Sequence, residues 1–257
     1  MRDGFKERLG NIELTTHVVL GLALLILLVF IAYPLSKVIL NSFLEAGDVL
    51  SLENLTLANF SQFYTSTLYK SALLHTLMVG FLCVFFSCLL GIPMAYFVAK
   101  TEVPFKVVFL TLGTLPLILP PFVGAYSWVL LFGRQGVINY FLDRLFGIFL
   151  PDIYGAPGVI IAMTMSYYPF VFLLTYGALL SADPHIEESA EIMGASRWRV
   201  IRTVTLPLVI SSIVAGALIV FMRAVGNFGV PAILGGNFYV LPTLIYFQAV
   251  SYTHLTL

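Results

Sequence analysis

The chain has 257 residues, of which 60% are hydrophobic and only 10% carry a formal charge, and its mean hydropathy is +0.98. A soluble domain carries about 25% charged residues, so this composition excludes an ordinary water-soluble protein and predicts one that faces lipid. The formal net charge is zero, which excludes a basic surface for nucleic acid. Cys83 and Cys88 lie in one apolar run and predict neither a disulfide framework nor a metal cluster.

Five long intervals of the chain contain no Asp, Glu, Lys or Arg. Each is long enough to cross a bilayer, which takes about 20 apolar residues in a helix. Backbone groups in lipid need internal hydrogen bonds, and the intervals are too long for barrel strands of about ten residues, so we expect helices. The predicted spans are residues 17–36, 71–98, 107–132, 158–181 and 207–228, with a sixth beginning near Leu241.

Two segments between or within these spans predict local departures from a straight helix. The run LPLILPPFVG, at 115–124, must interrupt the third span, since proline lacks a backbone donor. Two explanations for this break are open. The bend either serves the packing of the helices or belongs to a helix that lines a pathway which moves during function. In the run VINYFLDRLFGIFL, at 137–150, apolar residues recur at helical spacing, which predicts a short helix on the outer surface.

The distribution of lysine and arginine predicts the topology. With the N-terminus inside, eight of these residues lie in inner segments and four in outer segments. Residues 1–16 are therefore assigned to the cytoplasm. A cleaved signal peptide is the alternative, but no A-x-A-like site follows the first apolar run, which favours an uncleaved span.

The segment 183–207 is the one substantial charged loop on the predicted cytoplasmic side. Asp183-Pro184 is a helix start, Gly194 is a helix end, and Ser196 can cap a second helix. We therefore expect two short helices that bend at Gly194, lie across the cytoplasmic face and end at Pro207. The arginines of this loop are also explained as anchors that keep it on the cytoplasmic side. A capped pair of helices with a bend is not explained in that way and favours a docking element for a cytoplasmic partner.

The same loop carries the residues of a known motif. Glu188 and Ala190 are followed at fixed spacing by Gly194, by Val204 and by Leu206-Pro207. This pattern resembles the EAA motif of ABC importer permeases, with Ser189 in place of the usual alanine and Val204 in place of the usual isoleucine. The likeness extends over residues 14–250. The runs at 119–139 and 226–246 look most like the ferric-iron permeases.

This resemblance implies the fold and the division of labour. The fold implied is an all-α type I importer permease bundle, with about five complete transmembrane helices, the start of a sixth, and a truncated C-terminal end. Residues 17–250 would form the permease domain in the bacterial cytoplasmic (inner) membrane. The sequence contains no G-x-x-x-x-G-K phosphate loop, so ATP and Mg would be bound by a partner, with no cofactor and no catalytic residue in this chain.

The implied partners are a dimer of cytoplasmic ATP-binding subunits, an extracytoplasmic solute-binding protein, a second permease module, fused or separate, and the lipid bilayer. In the family the loop is the coupling helix, which docks on the ATP-binding subunit. The docking residues implied are Glu188, Ser189, Ala190, Gly194, Ala195, Arg197, Val204, Leu206 and Pro207.

Two further expectations concern the solute and its route. Ferric iron is the expected cargo, and importers of polyamine, thiamine or phosphonate are similar. Arg223 and Asn227 are candidates for the translocation path, since an ionisable residue in a span is costly; the alternative is that Arg223 reaches the outer interface. A secondary transporter or channel would need inverted repeats or carboxylates inside the spans, and neither occurs in the sequence.

The last seven residues, SYTHLTL at 251–257, contrast with the apolar run before them. They are too polar to complete a span and resemble a translated sequencing adaptor. We therefore predict a non-native tail and a natural protein that continues beyond residue 250.

Overall fold

The computed structural model describes residues 2–44, 54–102 and 104–255, with side chains described from residue 15 to residue 250. Within these ranges the chain is helical and forms no strand beyond one isolated bridge between Leu44 and Leu55. The helices are α1 (Arg2–Leu27), α2 (Tyr33–Asn41), α3 (Ala58–Thr65), α4 (Thr67–Lys100), α5 (Lys106–Thr114), α6 (Pro121–Phe132), α7 (Val137–Phe146), α8 (Ala156–Ser181), α9 (Pro184–Ile192), α10 (Arg197–Val200), α11 (Leu206–Val225), α12 (Gly229–Leu234) and α13 (Leu241–Leu255).

The chain divides into two compact units, Met1–Lys70 and Ser71–Leu257. In the first, one π turn, Leu28–Ala32, joins α1 to α2. The apolar part of this helix is Thr15–Asn41, which is longer than the predicted 17–36 and has every residue exposed. The amide of Asn59 in α3 donates to the backbone carbonyls of Ser42 and Leu44, at 3.1 and 2.7 Å, and so holds α3 against the end of α2.

The second unit contains the predicted helical bundle. Among the described residues of the whole chain, four helices are long and apolar enough to cross a membrane, and a fifth crosses if one bent pair counts as a single span. Together with α13, which begins at Leu241 as predicted, these helices confirm the all-α membrane fold. The polar segment after Val250 does not stop α13, which continues to Leu255; its assignment as a non-native tail stays a prediction, and residues 256–257 lie outside the described part.

The core of this unit is built around α8. Most residues in the apolar stretch of α8 are buried, and its contacts with α4 and α11 form two clusters of buried side chains. Glycines bring the backbones close: a Cβ on Gly216 of α11 would lie 2.9 Å from the Cα of Val171, and one on Gly91 of α4 would lie 3.0 Å from the backbone nitrogen of Phe172. Small residues at helix contacts are the usual means of packing in lipid.

The third predicted span is interrupted where the proline run predicts. After α5 comes a 3-10 turn, Leu115–Leu117, and α6 begins at Pro121. The two arms, Lys106–Leu117 and Pro121–Phe146, are inclined at 102°. The prediction of one span over 107–132 therefore needs correction: this stretch is a sharply bent pair of shorter helices. α7, the expected short outer helix, follows α6 and is pinned by buried Asn139, which donates to Gly133 O at 2.8 Å and accepts from Leu150 N–H at 3.0 Å.

A second correction concerns the helix after Gly194. The chain from Arg197 to Val225 is one continuous helix of 29 residues, so the second half of the charged loop is the start of a span and not a separate short helix. Pro207 lies inside this helix and does not end the loop. A π turn, Ile201–Thr205, precedes Pro207, and Leu206 N–H donates to Ile201 O. Because Pro207 has no N–H, the ordinary helical ladder fails here, and the wider turn accommodates the gap.

Candidate functional site

The loop between α8 and α10 begins with a capped helix. The Asp183 carboxylate accepts a hydrogen bond from His185 N–H at 3.0 Å, and Pro184 occupies the first helical position. The carboxylate satisfies one of the unpaired N–H groups at the start of the helix, and Pro184 has no N–H to leave unpaired. Asp183 therefore fixes the direction in which α9 leaves the end of α8.

Gly194 ends α9 with a left-handed backbone, φ +86°. Gly194 N–H donates to Glu191 O at 2.9 Å, and Ala195 N–H donates to Ala190 O at 3.1 Å. This pair of bonds is the Schellman arrangement, which favours glycine because a Cβ is strained at positive φ. The bend predicted at Gly194 is confirmed, and it turns the chain from α9 into the helix that starts at Arg197.

The outer face of this bend combines charge with exposed apolar side chains. The Glu188 side chain is 64% exposed, and its carboxylate faces His185 Nδ1 at 3.3 Å on the same helix. Ile192, Met193 and Trp198 are 86%, 82% and 73% exposed. These three residues were not predicted from the sequence, although two large apolar residues directly before a helix-ending glycine are a usable signal for a contact surface.

The other predicted docking residues occupy two different environments. Around the bend, Ser189 Oγ donates to His185 O at 2.6 Å, Ala190 and Ala195 are half-buried, and Arg197 is exposed. Val204, Leu206 and Pro207 lie further along, in the continuous helix, with Val204 half-buried and the other two exposed. The structure thus separates one motif into a bent tip and a helical stem.

A contact that the sequence analysis did not predict holds α9 in place. Lys100, the last residue of α4, lies 2.8 Å from Glu187 Oε2, and Thr205 Oγ1 donates to Glu187 Oε1 at 2.8 Å. The sequence separation between Lys100 and Glu187 is 87 residues. No local pattern signals such a pair, because it arises only when α4, α9 and the π turn meet.

The candidate pathway residues lie where α11 ends. The Arg223 guanidinium lies over the Phe170 ring, 5.3 Å from its centroid. Asn227 accepts from Val230 N–H at 2.9 Å and donates to the Tyr167 hydroxyl. Arg223 is in the last turn of α11, and it is exposed. The structure brings both residues against α8; their role in translocation stays a prediction.

Comparison with known proteins defines the class to which this bundle and loop belong. The family model described as "Binding-protein-dependent transport system inner membrane component" matches residues 87–253, more than half of the chain. The chain therefore belongs to this family, the permease subunits of ABC importers.

Three relatives illustrate the range within the family. The chain is 33% identical over 157 residues, 60% of its length, to the ferric transport system permease protein FbpB of Actinobacillus pleuropneumoniae, of which it covers 23%. It is 29% identical over 225 residues, 87% of its length, to the putative ferric transport system permease protein FbpB 1 of Haemophilus influenzae, of which it covers 35%. It is 34% identical over 144 residues, 56% of its length, to the molybdenum transport system permease protein ModB of Escherichia coli K12, of which it covers 62%.

Solved structures match the fold. A chain of the bacterial alginate ABC transporter, in complex with its periplasmic protein, has a TM-score of 0.75 at 19% identity, with 95% of this chain and 85% of that chain covered. A chain of the MetNI methionine ABC transporter has a TM-score of 0.54 at 20% identity, with 70% and 82% covered. At these identities the likeness concerns the fold alone.

Proposed function

We propose that this chain is the membrane-spanning permease of an ATP-driven importer, through which a solute delivered by an extracytoplasmic binding protein crosses the inner membrane. The observation that carries the proposal is the bent tip of the loop. A capped helix that ends in a Schellman bend and displays Ile192, Met193 and Trp198 to solvent is costly unless a partner covers it.

The proposed occupant of this surface is the cytoplasmic ATP-binding subunit, present as a dimer. The exposed Glu188 carboxylate would pair with a basic group of that subunit, and Gly194, beside which a Cβ would meet nothing within 4 Å, leaves room for close approach. Met193 and Ile192 would enter an apolar groove. ATP and Mg would be bound by the partner, since this sequence has no phosphate loop.

The proposed cargo is ferric iron, with molybdate as the rival. The match to a putative ferric permease extends over 87% of this chain, whereas the match to a molybdenum permease covers 56% at slightly higher identity. The longer match to the putative ferric permease therefore favours ferric iron. The percentage identities to the two relatives do not separate iron from molybdate. The polyamine, thiamine and phosphonate importers remain as wider alternatives within the same machinery.

The remaining parts of the proposal concern assembly and orientation. A second permease module, fused or separate, would face this chain across the pathway, and Arg223 and Asn227 would lie beside that pathway. We place the N-terminus and the charged loop in the cytoplasm, on the basis of eight inner against four outer lysines and arginines.

Reconstituted transport tests this proposal. The chain is placed in proteoliposomes with a second permease module, an ATP-binding subunit and a binding protein of a ferric-type importer, and ATP-dependent uptake of radioactive ferric iron and of molybdate is measured in parallel. We expect uptake of iron that requires ATP and the binding protein. Uptake of molybdate alone would overturn the cargo, and uptake that is independent of ATP would favour a channel or secondary transporter.

A variant pair connects uptake to the loop. Ile192→Asp with Met193→Asp places two charges at the proposed apolar contact, and we expect it to abolish association with the ATP-binding subunit, measured by co-purification. The matched control is Ile186→Asp, on the same helix and less exposed at 45%. Retention of the subunit by the double variant would contradict the proposed docking surface.

A further inference from the structure

One carboxylate anchors the docking helix to the rest of the bundle. None of the nine residues of α9, all of which are described, is fully buried, so apolar packing contributes little to holding this helix. Glu187 instead accepts from Thr205 Oγ1 through Oε1 and pairs with Lys100 Nζ through Oε2, each at 2.8 Å. Both carboxylate oxygens are therefore committed to elements other than α9.

The surroundings of this carboxylate make the contact more than a surface ion pair. The Glu187 and Lys100 side chains are each 19% exposed, and Thr205 is 3% exposed. Charges that are largely withdrawn from water are screened less by salt than exposed ones. Removal of one partner also leaves the other partly desolvated without compensation.

The neighbouring carboxylate behaves differently. Glu188 is 64% exposed, and the partner described for it is His185, on the same helix. Adjacent residues on α9 thus face different surroundings: Glu187 contacts the bundle, and Glu188 is exposed toward the proposed ATP-binding subunit. The two can therefore be separated experimentally by the same Glu→Gln change.

Chain connectivity shows what Glu187 adds. The backbone already links α9 to α8 and α10, but α4 ends 87 residues earlier in the sequence than Glu187, so force reaches α4 only through non-covalent contact. We infer that Glu187 is a positioning residue that transmits displacement of α9 to α4, through Lys100, and to the helix of α11, through Thr205. This inference rests on the proposed role of α9 as the docking element.

The first test needs no partner protein. Spin labels are attached to cysteines at Ile192, in the loop, and at Phe81, an exposed residue of α4. The full chain, with its native cysteines replaced, is held in lipid nanodiscs. The distribution of distances between the labels reports how firmly α9 is held. We expect Glu187→Gln to broaden the distribution and Glu188→Gln to leave it unchanged.

Two further variants separate positioning from general damage. Thr205→Val removes one hydrogen bond without touching the ion pair, and we expect a smaller broadening. Reversal of the pair, Lys100→Glu with Glu187→Lys, is expected to narrow the distribution relative to either single change. A distribution that stays as narrow in Glu187→Gln as in the parent would overturn the inference, whatever the transport result.

The second test uses the assembled transporter and measures solute moved per ATP hydrolysed. We expect Glu187→Gln to lower this ratio several-fold while the ATP-binding subunit stays bound, and Glu188→Gln to weaken binding of the subunit instead. Glu187→Gln could broaden the distances between the labels and leave the solute moved per ATP unchanged. That result would contradict the inference that Glu187 transmits displacement of α9. Failure of the parent chain to bind the subunit would reject the proposed function and leave the spin-label result standing.

Discussion

Gly194 determines the shape of the docking loop at the scale of a single residue. Its φ of +86° lies in the left-handed region, where an L-residue with a Cβ is strained by about 1–2 kcal/mol. Since a Cβ there would meet nothing within 4 Å, the strain comes from the backbone and not from a neighbour. In the chain without its partner, a substitution at this position therefore tests conformation alone.

We expect Gly194→Ala to loosen the end of α9 by about 1–2 kcal/mol and to expose the following chain. Trypsin cleavage after Arg197 and Arg199, followed by gel electrophoresis in mild detergent, measures this loosening. Gly177→Ala is the matched control, because Gly177 is helical in α8 and its Cβ would also enter open space. Equal cleavage of the two variants would show that the left-handed conformation does not hold the bend.

Adjacent glutamates show why residue type alone does not reveal a role. Glu187 and Glu188 have the same chemistry and lie in the same helix, yet one is largely withdrawn from water and the other is exposed. The motif singled out Glu188, whereas no feature of the local sequence distinguishes Glu187. Helical spacing places the two side chains about 100° apart around the axis of α9. The position of α4 determines that Glu187, and not Glu188, contacts Lys100.

At the scale of elements, the contact between α8 and α11 depends on the absence of side chains. A Cβ on Gly216 would approach the Val171 Cα to 2.9 Å, and backbone atoms cannot move aside as a flexible side chain does. Membrane helices gain from such close contact through van der Waals packing, since lipid tails are as apolar as the side chains they replace. The glycine therefore sets the distance between these two helices.

We expect Gly216→Ala to destabilise the bundle by about 1–3 kcal/mol through overpacking, seen as a lower midpoint of thermal unfolding in detergent. Gly124→Ala is the control, because its nearest neighbour is the Ser166 side chain at 3.8 Å and the added methyl group fits. That control is expected to be neutral or stabilising by about 0.4–1 kcal/mol. A midpoint that rises for Gly216→Ala would refute the close contact.

Breaks in the helices were predictable to different extents. The run of prolines in residues 115–124 identified the interruption between α5 and α6, because proline removes a donor wherever it stands in a helix. The angle of 102° between the arms was not predictable. Pro207 also lacks a backbone donor, but here a π turn accommodates the missing hydrogen bond and the helix continues. The prediction that the loop ends at Pro207 was therefore wrong.

At the scale of the whole molecule, the distribution of basic residues predicts which face of the bundle is cytoplasmic. Met193 lies at the tip of the charged loop and is 82% exposed, and Leu145 lies on α7 and is 69% exposed. These two positions report on the segments predicted to be on opposite sides of the membrane.

We expect single cysteines at Met193 and Leu145, in a chain without native cysteines, to react on opposite faces. A membrane-impermeant maleimide added to intact spheroplasts should label Leu145→Cys and not Met193→Cys, and inverted vesicles should reverse the result. Labelling of both from one side would reject the predicted topology and, with it, the cytoplasmic location of the docking loop.

The amino-acid sequence was enough to locate the stretches that are apolar enough to cross a membrane, the start of α9, the bend that follows it and the motif of its loop. These are local properties: a charge-free run, an Asp-Pro helix start and a glycine after the last turn of a helix depend on neighbours in the chain. The packing of the helices was needed to show that α8 is central, that α5 and α6 diverge, and that Glu187 contacts Lys100 and Thr205. The reason is that lipid and protein interior are equally apolar, so hydropathy does not tell a buried helix face from an exposed one.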